Sequence, residues 1–305
     1  MINNTLRKIA LDFYSRGEVI HHKSHGKLCK TSIKKPDFTN ILTHIIYNDY
    51  YCLHTQKGTG SIDPNFINAL RNLHKENTYV DKGWLVETIQ EDCTIRASKY
   101  GIYLFFSKHQ YKLPQKELKI SDSINVLFSC HQPNKSPGFY LYFGTSGPLN
   151  TKDISRYYFN FKDENSLVFC DALMTTLNKT NITFEFKILQ DLKGSERVDN
   201  AVLYLKKSDD ILVKNIVNNL YQEHFFNLKN SPFHYVIAKG IGYAHEPKQE
   251  NTTESFGTHR SKIIAEAIYD ELIVKSKKKM DTNAIITHFL RNNINVSTVY
   301  KEGIS

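Results

Sequence analysis

Apolar residues in the first part of the chain recur at helical spacing. Leu6, Ile9, Ala10 and Phe13 fall on one face of a helix over residues 1–17. The polar, basic stretch 22–36 reads as a loop, and the apolar, Tyr-rich run 41–55 as a second helix. Residues 57–64 read as a turn, where Asp63 followed by Pro64 supplies the N-cap and first position of a helix over 64–75. Beyond residue 84 the period shortens. Residues 94–106 predict two short strands turning at Tyr100-Gly101, and residues 124–131 another strand.

The second half alternates more regularly. Strands are predicted over 138–144, 156–161, 182–189 and 200–206, with a strand-like segment over 234–244. Helices are predicted over 163–181, with Asp163 as cap, and over 210–225, with Ser208 and Asp209 as caps. After a loop at 246–255, a helix from Thr258 to Lys278 carries Ile263, Ile264, Ala267, Ile268 and Leu272 on one face. A last helix spans 281–293, and no internal repeat is present. The pattern predicts an α+β protein. A helix-rich region over 1–125 precedes a mixed or antiparallel sheet with flanking helices over 126–305.

Composition narrows this picture. Over 305 residues, 40% are hydrophobic, which excludes disorder for most of the chain, and 14 Gly with 8 Pro exclude a collagen-like sequence. The five cysteines lie far apart with no C-x-x-C pair, so free thiols in a reducing compartment are expected. The N-terminus lacks a secretory apolar core, and no window approaches the ~18 apolar residues of a membrane span. A cytoplasmic protein without membrane contact is expected. The net charge of +9 is compatible with nucleic acid, a membrane surface or an anionic substrate. The densest lysine clusters are at 30–35 and 275–279, and no zinc-finger, homeodomain or RNP-type pattern occurs. There is no P-loop, G-x-G-x-x-G, G-x-S-x-G or H-E-x-x-H. The 13 histidines show no metal-ligand spacing; His21, His22 and His25 read as structural or solvated. Neither metal nor organic cofactor is expected.

The placed cations carry more. Arg156 opens a strand. In 182–189, Phe184 and Phe186 face one way, while Lys187 shares the other face with Thr183 and Glu185. Arg197 and Asp199 precede the next strand. In 255–262, a Gly followed by Thr, His and Arg begins a helix, where free N–H groups, the dipole and a guanidinium can meet one anion. Each feature alone is more often a solvated face or an ordinary capped helix. Together they suggest a basic pocket for a phosphate-sized anion.

The second half resembles the HopA-type domain. The residues that carry the resemblance are Arg156-Tyr-Tyr-Phe-Asn160, Phe184-Glu-Phe-Lys187, Arg197-Val-Asp199 and Ala201-Val-Leu-Tyr204. Further on come Pro232-Phe233, the run Lys239 to Pro247 containing Glu246, and Glu254 to Arg260 leading into Ala265-Glu-Ala267. The match covers roughly 85–270 and is best over 150–270. The family is named for a type III secretion effector and also occurs as the lyase component of class V lanthipeptide biosynthesis. The order of parts is distantly similar to phosphothreonine lyases, except that these have His where this chain has Tyr158.

The resemblance implies β-elimination of phosphate from phosphoserine or phosphothreonine in a ribosomally made precursor peptide, giving dehydroalanine or dehydrobutyrine. A separate Ser/Thr peptide kinase, in complex with the lyase, would add the phosphate. Lys187 would be the base, which requires a neutral amine and a pKa lowered from about 10.4. Arg156, Arg197 and Arg260 would clamp the phosphate, with Lys99 and Lys239 as secondary candidates. Tyr158 or His259 would protonate the leaving oxygen. Asp199, Glu246 and Asn160 would orient these groups. The alternative of another class is a non-catalytic effector-like binding protein or kinase activator that docks a phosphorylated or acidic partner. A third, nucleic-acid binding through the +9 charge, predicts steep salt dependence.

Overall fold

The computed structural model describes residues 1–54, 63–112, 117–192, 196–247 and 254–303. The chain begins with α1 (Ile2–Asp12), whose Leu6, Ile9 and Ala10 are buried as their spacing predicts. Strands β1 (Phe13–Arg16), β2 (Val19–His22) and β3 (Gly26–Lys30) then form an antiparallel meander. This replaces both the end of the expected first helix and part of the expected loop over 22–36. Gly17 and Gly26 have φ of 62° and 70°, which lets the chain turn tightly at both corners.

Helix α2 (Lys35–Ile46) starts earlier than expected, with Pro36 in its first turn, and continues as one π-helical turn over Tyr47–Tyr51. The turn expected over 57–64 lies mostly outside the described residues. Helix α3 (Pro64–Asn72) follows as predicted, and the Asp63 carboxylate accepts hydrogen bonds from the amides of Asn65 and Phe66. Strands β4 (Thr78–Ile89), β5 (Ile95–Lys99), β6 (Ile102–Phe106) and β7 (Ser123–Ser129) form a second sheet in the order β6-β5-β4-β7. The β5–β6 hairpin turns at Tyr100 and Gly101 as expected; both have positive φ, as a tight hairpin turn requires. Trp84, Val86, Ile95, Ala97, Phe106, Ile124 and Val126 build a core for this sheet alone.

The remaining elements are β8 (His131–Ser136), β9 (Phe139–Phe143), β10 (Ile154–Phe159), α4 (Ser166–Lys179), β11 (Phe184–Leu189), β12 (Ala201–Lys206), α5 (Asp210–Leu220), β13 (Tyr235–Ala238), β14 (Ile241–His245), α6 (Phe256–Tyr269) and α7 (Thr282–Arg291). Their strands make a seven-stranded sheet in the order β13-β14-β10-β12-β11-β9-β8. Its named pairs are all antiparallel, so the fold is α+β as the sequence predicts. Two expected caps differ. Asn165 occupies the N-cap of α4, while Asp163, two residues earlier, accepts from its amide. Asp209 is the N-cap of α5 but its side chain makes no capping bond.

Period-two alternation gives the large sheet two apolar faces. Tyr157, Phe159, Phe184, Phe186, Leu203 and Leu205 face a core shared with Phe169, Leu173 and Leu177 of α4 and with Val213 and Val217 of α5. The opposite face, through Tyr158 and Val202, joins a core built with Leu6 of α1, Leu42 of α2, Ile264 and Ile268 of α6 and Phe289 of α7. Helices therefore cover both faces, and one core draws on residues from Leu6 to Val299. The five cysteines are free thiols. Among the described residues, no helix is long and apolar enough to cross a membrane.

Candidate functional site

On the second face, three adjacent strands set two rows of side chains. Arg156 of β10 pairs with Tyr204 of β12, which pairs with Glu185 of β11. One step along, Tyr158 pairs with Val202, which pairs with Lys187. Neighbouring strands lie about 4.8 Å apart, so Tyr158 and Lys187 are separated by about 10 Å of backbone, with only Val202 between them. Their longer side chains rise over it. Lys187 thus takes the face shared with Glu185, opposite Phe184 and Phe186, as the alternation predicts.

This row floors a small cavity of about 100 Å³, lined by Arg156, Tyr158, Lys187, Arg197, Asp199 and Tyr204 among others. It is well below the size of a typical drug-like ligand pocket. Each guanidinium is fixed by its own carboxylate. Arg156 donates Nε and Nη2 to Glu246 at 2.5 and 2.6 Å. Arg197 donates Nε and Nη2 to Asp199, both at 3.0 Å, and Nη2 also to the Tyr47 hydroxyl at 2.9 Å. A guanidinium is planar, so a bidentate pair sets its plane. Glu246 and Asp199, expected as orienting groups, each hold one guanidinium through two hydrogen bonds.

Lys187 differs from both arginines. Among the described residues its ammonium has no hydrogen-bond acceptor and no carboxylate; its Nζ rests over the rings of Phe139 and Tyr204. Tyr158 is 3% exposed, and its hydroxyl makes no hydrogen bond of good geometry, although Tyr51 and Arg156 stand beside it. Burial pushes this phenol up, and Arg156 pulls it partly back. The Tyr158 ring stacks on His234 with centroids 3.9 Å apart. His234 shares a 2.8 Å hydrogen bond with the Tyr51 hydroxyl through Nε2. Burial, then the Arg156 charge, lower its pKa to about 3, so the imidazole is neutral near pH 7.

Two further elements close the cavity. The π-helical turn brings Tyr47 and Tyr51 into a stack with centroids 5.2 Å apart. The first turn of α6 contributes Ser255 and Gly257. Gly257 is needed there, because a Cβ would lie 2.5 Å from Tyr51 and 2.7 Å from Tyr47. The Ser255 hydroxyl caps α6 by accepting from the Thr258 amide. The expected anion site at this helix start therefore meets the cavity, through its N-terminal turn rather than through the guanidinium that follows.

Arg260 lies elsewhere. It is fully buried and donates to the carbonyls of Val299 and Lys301 and to Glu302, tying the C-terminal segment to α6. His259 shares a 2.6 Å bond with Arg260 through Nδ1, and burial followed by that charge lowers its pKa to about 4. Neither residue lines the cavity. Lys99 is in the four-stranded sheet, paired with Asp81 at 2.5 Å. Lys239 is in the β13–β14 turn, 3.6 Å from Glu223. Asn160 is buried with its amide donating to the Lys229 carbonyl. The structure thus brings together Arg156, Tyr158, Lys187, Arg197, Asp199 and Glu246, and leaves Arg260, His259, Lys99, Lys239 and Asn160 outside.

Residues 130–301 match the HopA1 effector protein family. The chain belongs to the HopA1 effector protein family. Two solved structures share its fold. One is the effector protein from Pseudomonas syringae pv. tomato strain DC3000, at 16% identity and a TM-score of 0.51, with 90% of this chain and 93% of that chain covered. The other is the effector protein from Pseudomonas syringae pv. syringae strain 61, at 11% identity and a TM-score of 0.50, with 88% and 90% covered. No curated protein matches. The HopA1 match contains every cation of the cavity, but Tyr47 and Tyr51 come from outside it.

Sequence reasoning missed Tyr47, Tyr51, Phe139, Tyr204 and His234 as site residues. Tyr204 was within reach: it lies on the same strand face as Val202, next to Arg156 and Lys187. Tyr47 and Tyr51 reach the cavity from another element, and nothing in their local pattern reveals that contact.

Proposed function

We propose that this protein is a metal-independent lyase that eliminates phosphate from phosphoserine or phosphothreonine in a ribosomally made peptide. A separate kinase, acting in complex with it, supplies the phosphate. The observation that carries this reading is the pairing of two unsatisfied groups in one cavity. Among the described residues the Lys187 amine lacks an acceptor and the buried Tyr158 hydroxyl makes no hydrogen bond of good geometry, between two carboxylate-held guanidiniums.

In the proposed step, neutral Lys187 removes the Cα proton. The C–H electrons become the Cα–Cβ double bond, the Cβ–O bond breaks, and its electrons leave with the phosphate. Arg156, Arg197 and the α6 N-terminus offset the growing charge on phosphate oxygens. The Tyr158 hydroxyl donates to the leaving oxygen. A proton donor and a base on opposite sides of Val202 suit such a reaction, because the Cα proton and the departing oxygen are on adjacent carbons.

Incubation with kinase-phosphorylated peptide tests the reading. Loss of phosphoric acid, leaving an alkene that adds a thiol, supports it. A peptide that only binds, or that returns to its hydroxyl form, contradicts it.

A further inference from the structure

Lys187 sits between two ring faces in a longer alternating row. Its Nζ is 4.6 Å from the Phe139 centroid and 5.4 Å from that of Tyr204. The same rings also face the flanking guanidiniums. Arg156 lies 5.0 Å from Tyr204, and Arg197 lies 5.9 Å from Phe139 and 5.5 Å from Tyr47. The order is Arg156, Tyr204, Lys187, Phe139, Arg197, Tyr47. Sheet register builds it: Tyr204 on β12 pairs with Glu185, and Phe139 on β9 pairs with Leu189, so each ring is a diagonal neighbour of Lys187 from opposite sides.

A ring face and a carboxylate hold an ammonium differently. A carboxylate accepts its hydrogen bond and stabilises the charged form strongly, which opposes use of the amine as a base. A ring face attracts the cation more weakly and accepts no such bond. We infer that Phe139 and Tyr204 are positioning residues that hold the Lys187 amine by their ring faces, in place of a carboxylate, and space it from Arg156 and Arg197. The other titratable groups sharing the pocket are Tyr158 from β10, Asp199 before β12, and Tyr47 and Tyr51 from the π-helical turn. Glu185 lies two residues away on the lysine's own strand, where its carboxylate accepts the Leu149 amide. The catalytic consequence rests on the lyase reading; the positioning of the amine does not.

The test therefore has two readouts. The rate at which an amine-reactive ester acylates Lys187, followed by peptide mass mapping across pH, gives the titration midpoint without any substrate. Phe139→Leu keeps apolar bulk but removes the ring, and Phe139→Tyr keeps the ring. The midpoint in Phe139→Leu falls by about half to one pH unit, since the ring no longer favours the charged form, and Phe139→Tyr restores it. On phosphopeptide, at the high-pH plateau where protonation no longer limits, Phe139→Leu lowers kcat about ten- to hundredfold with KM within about twofold. Phe139→Tyr again restores it. Tyr204→Leu repeats the midpoint shift independently. An unchanged midpoint in folded Phe139→Leu and Tyr204→Leu overturns the inference. If the unmodified protein eliminates no phosphate from any peptide, the lyase reading fails while the acylation series still decides this one.

Discussion

Replacing Tyr158 by Phe removes one oxygen and keeps the ring stacked on His234, 3.9 Å away. In the free protein that oxygen is buried and makes no hydrogen bond of good geometry, with Tyr51 and Arg156 beside it. An unpaired buried hydroxyl costs about 1–3 kcal/mol, so Tyr158→Phe should stabilise the fold by about that amount. Unfolding entropy scales with length, and for 305 residues about 1–3 kcal/mol corresponds to a Tm rise of about 2–5 °C. The same change removes the proposed proton donor, so turnover on phosphopeptide should fall about 10²- to 10⁴-fold. Thermal unfolding followed by circular dichroism reads the first effect, and single-turnover mass spectrometry the second. A gain in stability with a loss of function marks a group kept for its site at a cost to the fold. A lower Tm in Tyr158→Phe, or turnover within about twofold of the unmodified protein, refutes the reasoning.

Other substitutions separate structural from functional roles. Arg260→Met should lower stability by about 3–5 kcal/mol in urea unfolding, since it leaves the enclosed Glu302 without its guanidinium; unchanged stability with weakened phosphopeptide binding would return Arg260 to the phosphate clamp. Gly257→Ala forces a methyl against Tyr47 and Tyr51 and should cost about 1–3 kcal/mol while weakening phosphopeptide binding; an unperturbed variant would contradict the packing described. The His234 imidazole titrates at 6.5 when unfolded and at about 3 when folded, so the unfolded state carries the extra proton between these values. Its contribution to stability is complete above pH 6.5 and is lost as pH falls toward 3, at about 1.4 kcal/mol per unit. Urea midpoints should therefore drop between pH 7 and 5, and His234→Gln should flatten that slope; an equal slope in both proteins would contradict this.

The cations of the site were legible because strands have a strict period. Once Phe184 and Phe186 are taken as buried, Lys187 must share the other face with Glu185, and the same alternation puts Arg156 and Tyr158 on one face of β10. Arg260 was misleading for an equally physical reason. A buried guanidinium near a helix start can reach a ligand or the carbonyls of another segment, and only the fold shows that Val299 and Lys301 take it. The β1–β3 meander escaped notice because strands of four or five residues bury too few positions to display a period; β2 fully buries only Ile20 and His22. Tyr47 and Tyr51 were hidden by distance in the chain, since their role depends on meeting Arg197 and Gly257 in the folded protein.

Lys187→Ala, assayed with kinase-phosphorylated peptide by mass spectrometry beside the unmodified protein, is the most direct test of the proposed lyase. Lys187 is half-buried and makes no hydrogen bond or ion pair among the described residues, so the variant should fold normally. The unmodified protein should remove phosphoric acid and leave a thiol-reactive alkene, while Lys187→Ala still binds the phosphopeptide and releases nothing. Elimination that survives in folded Lys187→Ala, or its absence from the unmodified protein, would contradict the lyase reading.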